Sequence, residues 1–175
     1  MQLERSERDT KAFALALTAM GAVTLAFIAN RNGAALVMCG LCLTGLFAGR
    51  LIGAPGLVLL PVALGLCGLL WLIWVSPIDH YVSPTAHLVG GILVGWALAE
   101  TLHSRRWAAW ALAALVAVAL LTVVWEMGEY LGDRVLETAL IPSRRDSALD
   151  IFFGCLGGGV GVTIAALRAA VRADG

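Results

Sequence analysis

The sequence predicts an all-α integral membrane bundle: one domain of six transmembrane helices with both termini in the cytoplasm. Three observations predict it. Of the 175 residues, 60% are hydrophobic and only 14% are charged, against roughly 45–50% and about 25% in a soluble domain. The apolar residues fall into six runs close to the ~20 residues that a spanning helix requires. Charged or turn-forming residues separate the runs. Twelve Lys plus Arg balance twelve Asp plus Glu, so the basic excess of a nucleic-acid binder is missing. The expected partner is the lipid bilayer and not a nucleic acid.

The first span, 12–29, follows Arg5, Arg8 and Lys11. It is long for the apolar region of a signal peptide and lacks a small-residue cleavage site, which reads as a retained anchor. Residues 1–10, of mixed charge, read as a surface helix or a tail. The turn Asn30-Arg31-Asn32-Gly33 precedes a span at 34–53, and Ala54-Pro55-Gly56 precedes one at 57–75. A loop from Ser76-Pro77 to Ser83-Pro84 leads to 85–102, and the basic hairpin His103-Ser104-Arg105-Arg106 leads to 107–127. The spacing of Glu126, Glu129, Asp133 and Glu137 carries a helical face beyond that fifth span. The helix is expected to protrude before the chain turns at Ile141-Pro142-Ser143 and enters the last span, 149–167.

An even number of spans puts Arg5, Arg8, Lys11, Arg50, Arg105, Arg106, Arg168 and Arg172 on one side, eight of the twelve basic residues. Arg31, Arg134, Arg144 and Arg145 fall on the other. The richer side is cytoplasmic by the positive-inside rule. The four cysteines, Cys39, Cys42, Cys67 and Cys155, lie within apolar runs and read as small packing residues. This includes the Cys39-x-x-Cys42 pair, which has no polar companions.

This topology gathers titratable groups at the outer ends of the later spans. Asp79 and His80 fall in the third loop, His87 opens the fourth span, Glu126 and Glu129 close the fifth, and Asp146 and Asp150 open the sixth. Ionisable groups at membrane depth are costly and mark functional sites. Glu126 and Glu129 share a helix face. Converging with His87 and Asp150, they supply a ligand set for a divalent metal, as carboxylates and histidines do in helical bundles. The same pair of glutamates is suited to acid and base work. Arg144, Arg145 and Asp146 at the rim are placed to clamp a charged headgroup. Simpler roles compete: Asp79, Asp133 and Glu137 fit solvent-facing acids, and Ser147-x-x-Asp150 fits a capping box. Glu100 and His103 form a smaller polar pair at the inner face. Gly91 and Gly95, and Gly154, Gly157, Gly158 and Gly161, recur at helical spacing and let helices approach closely, within the chain or in a homo-oligomer. No phosphate loop, dinucleotide fingerprint or serine-nucleophile elbow is present.

At these residues the sequence resembles the VanZ-like integral membrane proteins and the related YjdF-like inner-membrane family, over residues 79–161. Arg144, Asp150, Gly157 and Gly161 stand where VanZ-like proteins carry Arg, Asp, Gly and Gly, and Gly154 stands where they carry Asn. Glu126 matches the family Glu, and His87 the histidine that opens an earlier span. Glu129, followed by Tyr130, and the pair Asp146 and Asp150 look more like the YjdF-like pattern. The resemblance implies a multi-pass protein of the bacterial inner membrane, related to one linked to lipoglycopeptide resistance, and implies no reaction. Three functions remain open on the sequence. One is a site for a divalent cation and an envelope lipid or lipid-linked molecule, including metal-assisted hydrolysis. The second is a non-catalytic carrier, and the third is an assembly subunit.

Overall fold

The structure, a computed structural model, describes residues 2–75, 82–102, 107–137 and 144–173. Among these the regular structure is all helical, with α1 Gln2–Ala29, α2 Gly33–Leu51, α3 Gly56–Val75, α4 Val82–Leu102, α5 Trp107–Leu136 and α6 Arg144–Ala173. Five of the six are long and apolar enough to cross a membrane, and α3 is apolar over the shorter stretch Gly56–Leu72. The helices follow the expected runs and extend beyond several of them. The charged residues before the first run continue α1 down to Gln2, braced by a Glu7–Lys11 pair one turn apart at 2.6 Å. The acidic spacing does carry α5 on to Leu136. And α6 begins at Arg144, so Ser147 and Asp150 lie inside the helix, which corrects the capping-box reading. Asp146, in the first turn, occupies the electropositive helix end in place of that box.

The chain divides into two compact units, residues 1–77 with 127–142 and residues 78–126 with 143–175. In the first, Arg31 takes the left-handed conformation that ends α1 (φ 52°), and the Asn32 side chain caps α2 by accepting from the Ala35 amide at 3.0 Å. Gly53 (φ 91°) ends α2, where the Ala54 amide reaches back to the Gly49 carbonyl at 2.9 Å. A methyl at Gly56 would strike the Asp9 carbonyl and Phe13, so α3 enters directly against α1. The same place holds an ionic clamp. Arg50 donates to Asp9 at 2.7 Å and to the Ala54 carbonyl at 3.3 Å, and its guanidinium lies 5.4 Å from the centre of the Phe13 ring. The second Asp9 oxygen accepts from the Leu57 amide at 3.3 Å, in the first turn of α3. Asp9→Ala unties three helices at once. Because the pair is partly solvated, it should lower stability by about 1 kcal/mol, read as a fall in melting temperature in detergent; an unchanged melt would show that the clamp contributes nothing. Cys39 and Cys42 are buried and all four cysteines are free, in line with the packing role.

The second unit is built on glycine. Added methyl groups at Gly91, Gly95, Gly157 and Gly161 would each meet backbone of the facing helix. Gly91 faces Gly154 and Gly158, Gly157 faces Leu88 and Ile92, and Gly161 faces Ile92 and Trp96. Residue numbers rise together along these contacts, so α4 and α6 run parallel in backbone contact. The glycine faces that the sequence left open to a partner chain therefore meet one another. The first part of α5 runs antiparallel to both. Trp110 packs with Ala99, Ala114, Val162 and Ala165, Val118 covers Gly158, and Thr122 covers Gly154. From Trp110 to Glu126 the helix rises about 24 Å at 1.5 Å per residue. It thereby brings Glu126 to the end where α4 and α6 begin.

Candidate functional site

His87 lies in the second turn of α4, four residues beyond Ser83 and therefore above it on the same face. Asp150 lies in the second turn of α6 and Glu126 on α5. Because α4 and α6 are parallel and in contact, their second turns coincide, and the antiparallel α5 closes the group. Glu126 is 6% exposed, Asp150 2%, and the His87 side chain 10%. Within the second unit, three of the residues chosen from the sequence thus meet.

The two nitrogens of His87 have different neighbours. Nδ1 lies 2.9 Å from the Ser83 carbonyl oxygen and 3.2 Å from Asp150 Oδ1. A carbonyl only accepts, so Nδ1 carries the hydrogen and donates it there. In the neutral ring this leaves the lone pair on Nε2, which faces Glu126 Oε1 at 3.3 Å. Nε2, both Glu126 oxygens and Asp150 Oδ1 are buried and make no hydrogen bond among the described residues. Buried polar atoms in such a state carry a desolvation penalty of about 1–3 kcal/mol each. A neutral ring and an ionised Glu126 would set two electron-rich atoms against each other. A cation between them, either a proton or a metal ion, resolves this. The Trp125 ring stands edge-on to the imidazole with centroids 6.5 Å apart and forms an apolar wall.

Ser83 completes the group: its hydroxyl donates to Asp150 Oδ2 at 2.8 Å and lies 3.5 Å from His87 Nδ1. The sequence reading treated Ser83 only as part of a loop. Its i, i+4 relation to His87 is the signal that would have singled it out, once the helix was begun at Val82 instead of Thr85.

The other expected site residues are placed as follows. Glu129 is buried one turn beyond Glu126, on the part of α5 that belongs to the first unit. Asp146 is partly buried in the first turn of α6, Arg145 is exposed, and Arg144 is the first residue of that helix. Asp79, His80, His103, Arg105 and Arg106 lie outside the described residues, as does the expected turn at Ile141-Pro142-Ser143. At the opposite end of the second unit Glu100 is 3.9 Å from Arg168, whose guanidinium sits 5.6 Å from the centre of the Trp96 ring. The hydroxyls of Thr44 and Thr122 donate to carbonyls of their own helices at 2.8 and 2.9 Å.

Each unit holds its own polar cluster. In the first, the start of α1, the end of α2 and the start of α3 meet in a cluster whose cation is Arg50. In the second, Glu126 of α5 meets the start of α4 and the start of α6. The second cluster has carboxylates and an imidazole but no arginine or lysine among its named members. Comparison of the chain with protein-family models, curated proteins and solved structures finds no match.

Proposed function

We propose that the chain is a six-span protein of a bacterial cytoplasmic membrane, with cytoplasmic termini, whose second unit binds a divalent cation and through it an envelope lipid or lipid-linked molecule. One observation carries the cation: Nε2 of a buried imidazole and an oxygen of a buried carboxylate face each other at 3.3 Å, and neither atom is hydrogen-bonded among the described residues. The basic-residue count supports the orientation, and the VanZ-like and YjdF-like resemblance over residues 79–161 supports the membrane.

Depth supports the lipid. His87 is five residues into α4, about 7 Å along the helix axis. That matches the thickness of the headgroup layer, about 5–8 Å on each side of the hydrocarbon core. A bound cation at that level meets the phosphates and ester carbonyls of lipids, with Arg145 and Asp146 at the rim. His87 and Glu126 would hold the cation, which would polarise an ester or phosphoryl oxygen and make a bound water more acidic, and the Glu126 carboxylate would accept that water's proton. Thr44 and Thr122 each bond to their own backbone, which does not favour a polar route across the membrane and speaks against the carrier reading.

Elemental analysis of detergent-purified protein, washed with a weak chelator, is the test. Close to one equivalent of a divalent metal is expected in the native chain and little in His87→Ala. Incubation of the loaded protein with phospholipid vesicles, followed by mass spectrometry of the lipids, then separates cleavage from binding. Absence of metal from the native protein, including after dialysis against zinc or manganese, would refute the reading.

A further inference from the structure

We propose that this site, resting on the cation reading above, takes a borderline divalent ion of the zinc, manganese or iron(II) class, and that Asp150 and Ser83 are positioning residues for His87 rather than ligands. Asp150 was expected from the sequence as a ligand. It approaches Nδ1, the nitrogen whose hydrogen already goes to the Ser83 carbonyl, while Glu126 faces Nε2. A ring nitrogen bearing hydrogen cannot coordinate, so the ion belongs on the Glu126 side, and Asp150 is left on the far side of the ring.

An aspartate and a carbonyl on the nitrogen opposite the metal are the usual support for a ligating histidine, because they fix the tautomer and raise its basicity. Ser83 extends that support. By donating to Asp150 Oδ2 at 2.8 Å it turns the other oxygen toward the imidazole, 3.2 Å from Nδ1. Asp150 is almost wholly buried, so no solvent replaces that hydroxyl if it is removed.

The donor set decides the class of ion. One imidazole with carboxylates suits zinc, manganese or iron(II). Calcium and magnesium prefer all-oxygen shells. Copper(I) prefers sulfur, and none of the polar contacts described for this site involves a cysteine.

The test uses the full chain in detergent, stripped by chelation and titrated with cobalt(II), whose visible absorption reports the ligand shell. The native protein is expected to bind one equivalent and to hold it against millimolar magnesium. Ser83→Ala and Asp150→Asn should keep that stoichiometry and the native absorption envelope while binding about 10- to 100-fold more weakly. Ser83→Thr should restore the affinity, and His87→Gln should abolish binding. Circular dichroism verifies that each variant is folded. Complete loss of binding in folded Asp150→Asn would make Asp150 a ligand and overturn the proposal, as would unchanged affinity in Ser83→Ala or displacement of cobalt by magnesium. Failure of the native chain to bind cobalt, zinc or manganese would instead overturn the cation reading itself.

Discussion

The Glu126→Gln variant is expected to lose its response to added metal while remaining folded. Glutamine keeps the volume and shape of the side chain, so the packing around α5 is preserved. It removes the negative charge, and an amide oxygen is a far weaker ligand than a carboxylate. In the native protein a ligand that binds only the folded state at 100 times its dissociation constant adds about 2.7 kcal/mol. For a chain of this size each kcal/mol moves the melting temperature by about 2–4 °C, so zinc should raise the native melting temperature by several degrees. In Glu126→Gln the increase should vanish. The metal-free variant should melt close to the metal-free native chain, because Asp150 and the Ser83 carbonyl still hold His87. Differential scanning fluorimetry with and without zinc reads both. A variant that still gains several degrees would place the ion elsewhere and remove Glu126 from the site.

The second large effect concerns folding. Gly157→Ala would drive a methyl group into the Leu88 carbonyl and to 3.0 Å from the Ile92 amide. Backbone cannot turn aside as a side chain can, so α4 and α6 must separate. Overpacking of this kind costs about 1–3 kcal/mol, set against a gain of up to about 1 kcal/mol from the higher helix propensity of alanine. The separation would also pull His87 from Asp150, so metal binding should weaken together with stability. Gly159 provides the control within the same helix, because a methyl there meets nothing within 4 Å. Gly159→Ala should leave the protein unchanged or slightly more stable. The melting temperatures of the two variants, measured side by side in one detergent, are the comparison. Equal behaviour would mean that the contact between α4 and α6 is looser than described.

The sequence determined the class of protein and most of its elements, because a bilayer leaves a backbone few choices. Runs of apolar residues near 20 long must be helices, since no water is present to satisfy their amides. The turn at Asn32 and the continuation of α5 past Glu126 follow from local capping and spacing. The sequence also singled out His87, Glu126, Glu129 and Asp150 as ionisable residues near span ends, and the structure brings His87, Glu126 and Asp150 together.

What it could not determine was which atom faces which. The division between the Nδ1 and Nε2 sides of His87 depends on the register of α4 against α6. Glycines in backbone contact set that register, and a shift of one residue would turn Asp150 away. Ser83 escaped notice because helix starts are set by tertiary packing as much as by local signals: α4 begins at Val82, ahead of Pro84, and α6 at Arg144, ahead of Ser147. Apolarity thus fixed which segments form long apolar helices, a property of each helix taken singly. The chemistry of the site arises from the juxtaposition of three helices that are distant in sequence, and only tertiary packing decides that.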